Sequence, residues 1–212
     1  CDWNLAYRTI SPSSQRISQK SFIDLVNSNR AYMKYSPVLW CTHCQTSIAQ
    51  AELETKELDS SFNWIPFKVE DKSLLVATTR PELLYGCVSL FIHPRDERYS
   101  SFIGWGNPGG EEAQAVHLMG DESVDIDKGS GIVMCCTFGD STDLEWYKKY
   151  DLPYKKIILG NGKIEKSVPY IGDLYVKQSR RKIIELLAQK QLLIKRENIS
   201  HPVQSHERCG NG

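Results

Sequence analysis

Three groups of residues in this 212-residue chain have types and spacings that could do chemistry. The first is Ala77-Thr78-Thr79-Arg80-Pro81-Glu82. Pro81 cannot continue a strand ladder and holds the residue before it extended, so two hydroxyls and a guanidinium are presented at a strand end. Thr78, Thr79 and Arg80 could hydrogen-bond a sugar or phosphate, with Glu82 orienting Arg80 or meeting an adenosine ring edge. The same string also serves as a plain strand-ending turn. The second group runs from Gly129-Ser130-Gly131 through an apolar stretch to Phe138-Gly139-Asp140-Ser141-Thr142-Asp143. Its glycines allow a ligand to approach the backbone closely, and Asp140 and Asp143 lie at a helix start. Those carboxylates could bind an ammonium or a hydroxyl, or simply cap the helix. The third is Cys41-x-x-Cys44 with His206-x-x-Cys209, two half-sites with the spacing of a zinc knuckle; His43 competes as a ligand. Cys135 and Cys136 sit in an apolar run with no histidine nearby in sequence to lower a thiol pKa, and they read as core residues.

The elements that must position these groups are mostly strands. Val38 to Trp40 leads into the first cysteine pair. Phe62 to Val69, Leu74 to Thr79, Cys87 to Ile92, Ala115 to Met119 and Ile132 to Cys136 follow, separated by Gly, Pro and acidic turns. Five short strands imply a barrel or sandwich core. Gly104 to Glu112 has the punctuation of an exposed excursion, and Gly160-Asn161-Gly162 predicts a tight hairpin. Three helices are expected: an early one capped by Ser18 or Ser21 with Phe22, Ile23, Leu25 and Val26 on one side, one over 140–150, and one over 179–191 with Ile183, Ile184, Leu187 and Ala188 on one face.

Composition narrows the class. Apolar residues make up 41%, with 26 basic and 26 acidic side chains, which fits a water-soluble globular chain and excludes disorder. No apolar run reaches the roughly 18 residues of a membrane span. Seven cysteines are too few for a disulfide scaffold, pointing to a reducing compartment. A chain opening on Cys-Asp-Trp reads as a piece of a larger protein. The neutral total hides an asymmetry: residues 148–196 hold 13 Lys and Arg against 4 Asp and Glu, a net +9 that could face a polyanion or be a solvated surface.

Taken together, Ala-Thr-Thr-Arg-Pro-Glu at 77–82, Phe-Ile-His-Pro at 91–94, Gly-Ser-Gly-Ile-Val at 129–133 and Phe-Gly-Asp-Ser-Thr-Asp at 138–143 resemble, in order and spacing, the editing domain of class I aminoacyl-tRNA synthetases. That domain, connective polypeptide 1, is shared by the valyl, isoleucyl and leucyl enzymes. The resemblance covers nearly all of residues 38–212, and residues 1–35 resemble the stretch of the parent synthetase leading into it. The Thr-Thr-Arg-Pro-Glu string argues against the isoleucyl type. The opening stretch and Cys-Cys-Thr-Phe-Gly-Asp look most like the valyl type, with leucyl the runner-up.

The resemblance implies a mainly β fold with α, a closed β-barrel decorated by peripheral helices, divided into a connecting segment (1–35) and an editing domain (36–212). It implies post-transfer hydrolysis of mischarged Thr-tRNA(Val), within a parent enzyme that ligates valine to tRNA(Val) using ATP in its separate catalytic domain. Asp143 would hold the substrate ammonium and Asp140 would read the threonine hydroxyl. Thr78, Thr79 and Arg80 would line the site around the terminal adenosine, Thr79 with a catalytic part, and Glu82, Gly129, Ser130 and Gly131 would complete the substrate site. Arg180, Arg181 and Lys182 would reach the tRNA acceptor end. Hydrolysis would need no cofactor, structural zinc would sit on Cys41, Cys44, His206 and Cys209, and the protein would be cytoplasmic with no membrane contact. One departure stands out: many valyl enzymes carry Lys-Ile-Thr-Pro-Ala-His-Asp where this chain has Met134-Cys135-Cys136-Thr137-Phe138-Gly139-Asp140. A lysine, a threonine and a histidine of the pattern are missing, which leaves open a zinc-stabilised tRNA-docking module without hydrolysis. A thiol hydrolase built on Cys135 or Cys136 is the third reading.

Overall fold

The computed structural model describes residues 2–69, 71–107 and 116–211. The chain forms two compact units, Cys1–Pro37 and Val38–Gly212. In the first, helix α1 (Pro12–Asn27) starts earlier than the hydrophobic pattern suggests. Pro12 is already set for a first helical turn, and the Ser11 hydroxyl accepts the Ser14 amide, so the cap is Ser11 rather than Ser18 or Ser21. Phe22, Ile23, Leu25 and Val26 on α1 are exposed.

Among the described residues the second unit has nine strands: β1 (Trp40–Cys41), β2 (Thr46–Ser47), β3 (Leu53–Val69), β4 (Lys72–Thr78), β5 (Cys87–Ile92), β6 (Gly106–Asn107), β7 (Val116–Gly120), β8 (Ile132–Cys136) and β9 (Lys195–His206). Helices α2 (Ser141–Tyr150) and α3 (Val176–Gln189) complete it. β1 and β2 form a small hairpin, β4-β3-β9 an antiparallel sheet, and β6-β7-β5-β8 a mixed sheet in which β5 and β7 are parallel. The expected excursion at 104–112 begins as a turn and the short β6; residues 108–112, like Ala115, lie outside the described residues. The Asn-Gly hairpin forms as expected, with the Leu159 amide on the Lys163 carbonyl and Gly162 at φ 77°.

Among the described residues none of the three sheets closes, so the closed barrel expected from the resemblance is not what they form. β4 and β8 come together without pairing as neighbours in one sheet. There the Ala77 amide is satisfied by the Ser130 hydroxyl at 3.3 Å instead of a β8 carbonyl, and Ser130 turns back to the Ile132 amide. A side chain thus takes the place of a ladder bond, and a bulge between Cys87 and Ser89 breaks the β5–β8 register. What results is a mixed β and α fold of three open sheets.

β5 is the buried spine, with all six residues buried. Leu90 and Ile92 join Val76, Leu118, Ile132, Ile164, Ile171 and Ile183 in the main core, which ties α3 to both large sheets. Phe91 stacks on Trp146 of α2 with ring centroids 4.1 Å apart, in a second cluster with Val88 and Cys135. Packing on β5 therefore fixes where α2 begins. The longest element is a ribbon in which β9 pairs with β3 from Leu53–His206 to Trp64–Lys195. Pro66 lies past the last β9 partner, where its missing amide hydrogen costs no ladder bond. Among the described residues no helix is long and apolar enough to cross a membrane.

Candidate active site and metal cluster

The ends of β4 and β8 and the start of α2 converge on one place. Asp140 caps α2, its carboxylate accepting the Asp143 amide at 2.9 Å, and the side chain remains exposed. Asp143 is buried in that same first turn. Its Oδ2 accepts the Gly139 amide at 3.0 Å. Burial pushes the Asp143 carboxyl up to about 7, the Asp140 carboxylate adds to this, and the Cys135 thiol with the Cys136 and Gly139 amides pulls the other way. The site therefore holds a carboxyl poised to ionise near neutrality, at a helix N-terminus that favours its charged form.

The first sequence group faces this loop. Thr78 is buried, and its hydroxyl accepts the Arg80 amide at 3.1 Å. Thr79 is half-buried at the bend after β4. Arg80 reaches across with Nη1 to the Gly139 carbonyl at 2.6 Å, joining the loop after β4 to the loop before α2. Glu82 is wholly buried in the 3-10 turn Pro81–Gly86. Its Oε1 accepts from Arg80 Nε at 3.2 Å and from Arg180 Nη2 at 2.7 Å, and its Oε2 from Arg180 Nε at 2.9 Å. Of the two roles open to Glu82, orienting Arg80 is the one the contacts serve.

Gly129, Ser130 and Gly131 pack against β4 and the ion pair of exposed Arg98 with buried Asp96. A Cβ on Gly129 would meet Ala77 at 2.9 Å, and one on Gly131 would meet Arg98, the Ile126 carbonyl and Asp96. The close approach these glycines permit is made by the chain's own atoms. Cys135 and Cys136 are buried, and their thiols are pushed up, Cys135 by burial and then Asp143, Cys136 by its bond with Cys87 and then burial. That is the opposite of what a thiolate nucleophile needs. Sequence reasoning missed two contributors. Gly139 links Arg80 to Asp143 entirely through its backbone, and buried Asn63 donates to the Thr78 carbonyl at 3.2 Å. Neither has a local signature; only the register Asn63–Thr78 reveals the second.

The basic stretch is partly engaged within the fold. Lys149 pairs with buried Asp121 at 2.7 Å, Lys163 with Asp173 at 2.9 Å and Lys195 with Glu197 at 2.8 Å. Arg180 gives its fork to Glu82, whereas Arg181 and Lys182 beside it on α3 are exposed.

At the far end of the β3–β9 ribbon, Cys41, Cys44, His206 and Cys209 come together, their ligand atoms all within 4.8 Å of one another. The Sγ atoms of Cys41 and Cys209 are 3.5 Å apart, and His206 Nδ1 lies 3.7 Å from Cys44 Sγ and 3.4 Å from Cys209 Sγ. A tetrahedral zinc with Zn–S near 2.3 Å needs edges of about 3.8 Å, so three thiols and one imidazole fit the ion with little movement. Burial alone would push the Cys41 thiol up, but the Cys44 amide, Cys209 and His206 bring it down to about 6. Trp40 anchors the hairpin that carries this pair by donating to the Gly160 carbonyl at 2.8 Å. His43 is the outlying candidate, its Nδ1 3.9 Å from Cys44.

A family model described as tRNA synthetases class I (I, L, M and V) matches residues 1–207, and the chain belongs to that family. Its curated relatives include valine–tRNA ligases: 46% identical over 99% of this chain in Rickettsia conorii, 44% over 99% in Thermoplasma volcanium and 39% over 98% in Haloarcula marismortui. These bear out the resemblance to the valyl enzymes. The chain spans about a quarter of the length of these relatives, 26%, 27% and 24% respectively. Among solved structures, a leucyl-tRNA synthetase of Agrobacterium radiobacter K84, in a ternary complex with tRNA and LeuAMS, aligns with 88% of this chain and 24% of its own at a TM-score of 0.48 and 18% identity.

Proposed function

We propose that residues 36–212 are an editing domain that hydrolyses Thr-tRNA(Val), joined through residues 1–35 to a synthetase that ligates valine to tRNA(Val) with ATP in its own catalytic domain. The observation that carries this reading is the buried carboxyl of Asp143, held between the helix cap and the Arg80-bound Gly139, in a chain 46% identical to a valine–tRNA ligase. A pocket shaped for valine cannot strongly reject an isostere that merely adds a hydroxyl, valine against threonine being the standard instance, so a second site has to remove the wrong ester.

In that site the substrate's α-ammonium pairs with Asp143 and draws it into its ionised form. Asp140 accepts the threonine hydroxyl from its exposed position at the cap. Arg80, a third of its side chain exposed, with the hydroxyls of Thr78 and Thr79, seats the terminal adenosine. Hydrolysis of a ribose ester then needs an oriented water and help for the developing charge, and the neighbouring ribose hydroxyl contributes to both. No covalent nucleophile and no cofactor takes part. Zinc on the four-residue cluster would hold the ribbon end in place and stay apart from the chemistry.

The deciding experiment incubates the protein with Thr-tRNA(Val) and Val-tRNA(Val) and measures the amino acid released. Release of threonine alone is expected. Release of neither, with tRNA still bound, would favour a zinc-stabilised docking module, a reading that the missing Lys and His beside Asp140 and the assembled cysteine cluster support.

A further inference from the structure

The Arg180–Glu82 pair lies outside the reacting groups named above, yet its carboxylate is wholly withdrawn from water beside the site. Glu82 has no exposed side-chain surface, and a buried carboxylate is tolerated only with its lone pairs taken. Arg180 binds it through both Nε and Nη2, the forked geometry that fixes a guanidinium plane, and Arg80 takes the second position on Oε1. Held there, Arg80 has Nη1 on the Gly139 carbonyl, and the Gly139 amide is the donor to Asp143. Asp143 is otherwise faced by Asp140 on its own helix and by the thiols of Cys135 and Cys136 on β8. A continuous line of short polar contacts therefore runs from α3 through the 3-10 turn to the loop before α2.

We propose that Arg180 and Glu82 are positioning residues: from helix α3 they lock Arg80 onto the Gly139 carbonyl and so hold the 137–143 loop in the shape that presents Asp143 to substrate. This deepens the editing reading and rests on it for its catalytic consequence. It also gives Arg180 a different duty from Arg181 and Lys182, which are exposed on α3, Lys182 within 3.9 Å of Glu185.

The test uses the intact protein and two readouts. Because Arg180→Met alone strands a buried carboxylate, the informative variant is the double Glu82→Gln, Arg180→Met, which removes the charge with its partner. Hydrogen exchange of the 137–143 segment should rise about tenfold, as for a lost hydrogen bond, while the β5 and β7 segments keep their protection. The kcat for Thr-tRNA(Val) should fall about tenfold, with the salt dependence of KM as in the parent. Unchanged exchange at 137–143 overturns the proposal. So does a loss confined to KM with a flatter salt slope, which would make Arg180 a phosphate contact. If the parent protein releases no threonine, the editing reading fails, and the exchange result still decides the clamp.

Discussion

Replacing Asp143 with Asn should make the protein more stable and less active, and the gain should depend on pH in a defined way. Burial raises this carboxyl from 3.8 to about 7, so the folded chain holds its proton more tightly than the unfolded chain does. The associated stability is fully present below about pH 4 and is lost as the pH rises through about 7. Three units at 1.36 kcal/mol each set an upper bound of about 4 kcal/mol on the loss. The N-terminal dipole of α2 favours the charged form by less than about 1 kcal/mol. Asn keeps an acceptor for the Gly139 amide but has no proton to lose, so its stability should stay flat over the same window. At pH 8 the variant should therefore melt higher by on the order of 10 °C, given roughly 2–4 °C per kcal/mol for a chain of this size. At pH 4 the two should differ little. Thermal melts of both proteins across pH 4 to 8 measure this directly. Parallel pH dependences would mean that Asp143 is already ionised in the resting site, and the argument from its burial would fail. Deacylation of Thr-tRNA(Val) by the variant should drop by about 10² or more, since an uncharged side chain cannot fix the ammonium.

Asp140→Ala should cost about 1 kcal/mol as a lost helix cap and should also lower the ratio of threonine to valine release; an unchanged ratio would move hydroxyl recognition to Thr137 or Thr142. Substituting Arg181 and Lys182 together with Ala should weaken tRNA binding and reduce the slope of log K against log salt by about 2, read from titrations at several salt concentrations. Cys209→Ser should abolish stoichiometric zinc measured by elemental analysis and increase hydrogen exchange in 53–58 and 201–206 while leaving β5 protected, because a two-stranded ribbon has little stability of its own. Equal exchange with and without the metal would show that the ribbon stands without a clasp.

Much of this arrangement is written locally. The boundaries of β5 and β8 are legible because six and five consecutive apolar or small residues end in Pro, Gly or acidic turns. Asp140 is legible as a cap because a helix start leaves amides that a nearby carboxylate can accept, and the hairpin at 160–162 because Gly162 tolerates positive φ. The cysteine pair at 41 and 44 is likewise a local motif. β9 and the outer half of β3 escape such reading: Glu54, Thr55, Lys56 and Glu57 oppose Ser205, Gln204, Val203 and Pro202 with both faces largely in water, so no alternation of apolar residues marks them. The sequence by itself determined which residues could bind metal, cap α2 or meet a phosphate, since these depend on side-chain chemistry and short spacings. Only the tertiary structure decided their partners. The β3–β9 ladder brings His206 opposite Leu53 and completes the metal cluster, the Ser130 hydroxyl takes the Ala77 amide where β4 meets β8, and α3 delivers Arg180 to a carboxylate 98 positions away. Each of these is set by long-range pairing and core packing around β5, which no run of neighbouring residues encodes.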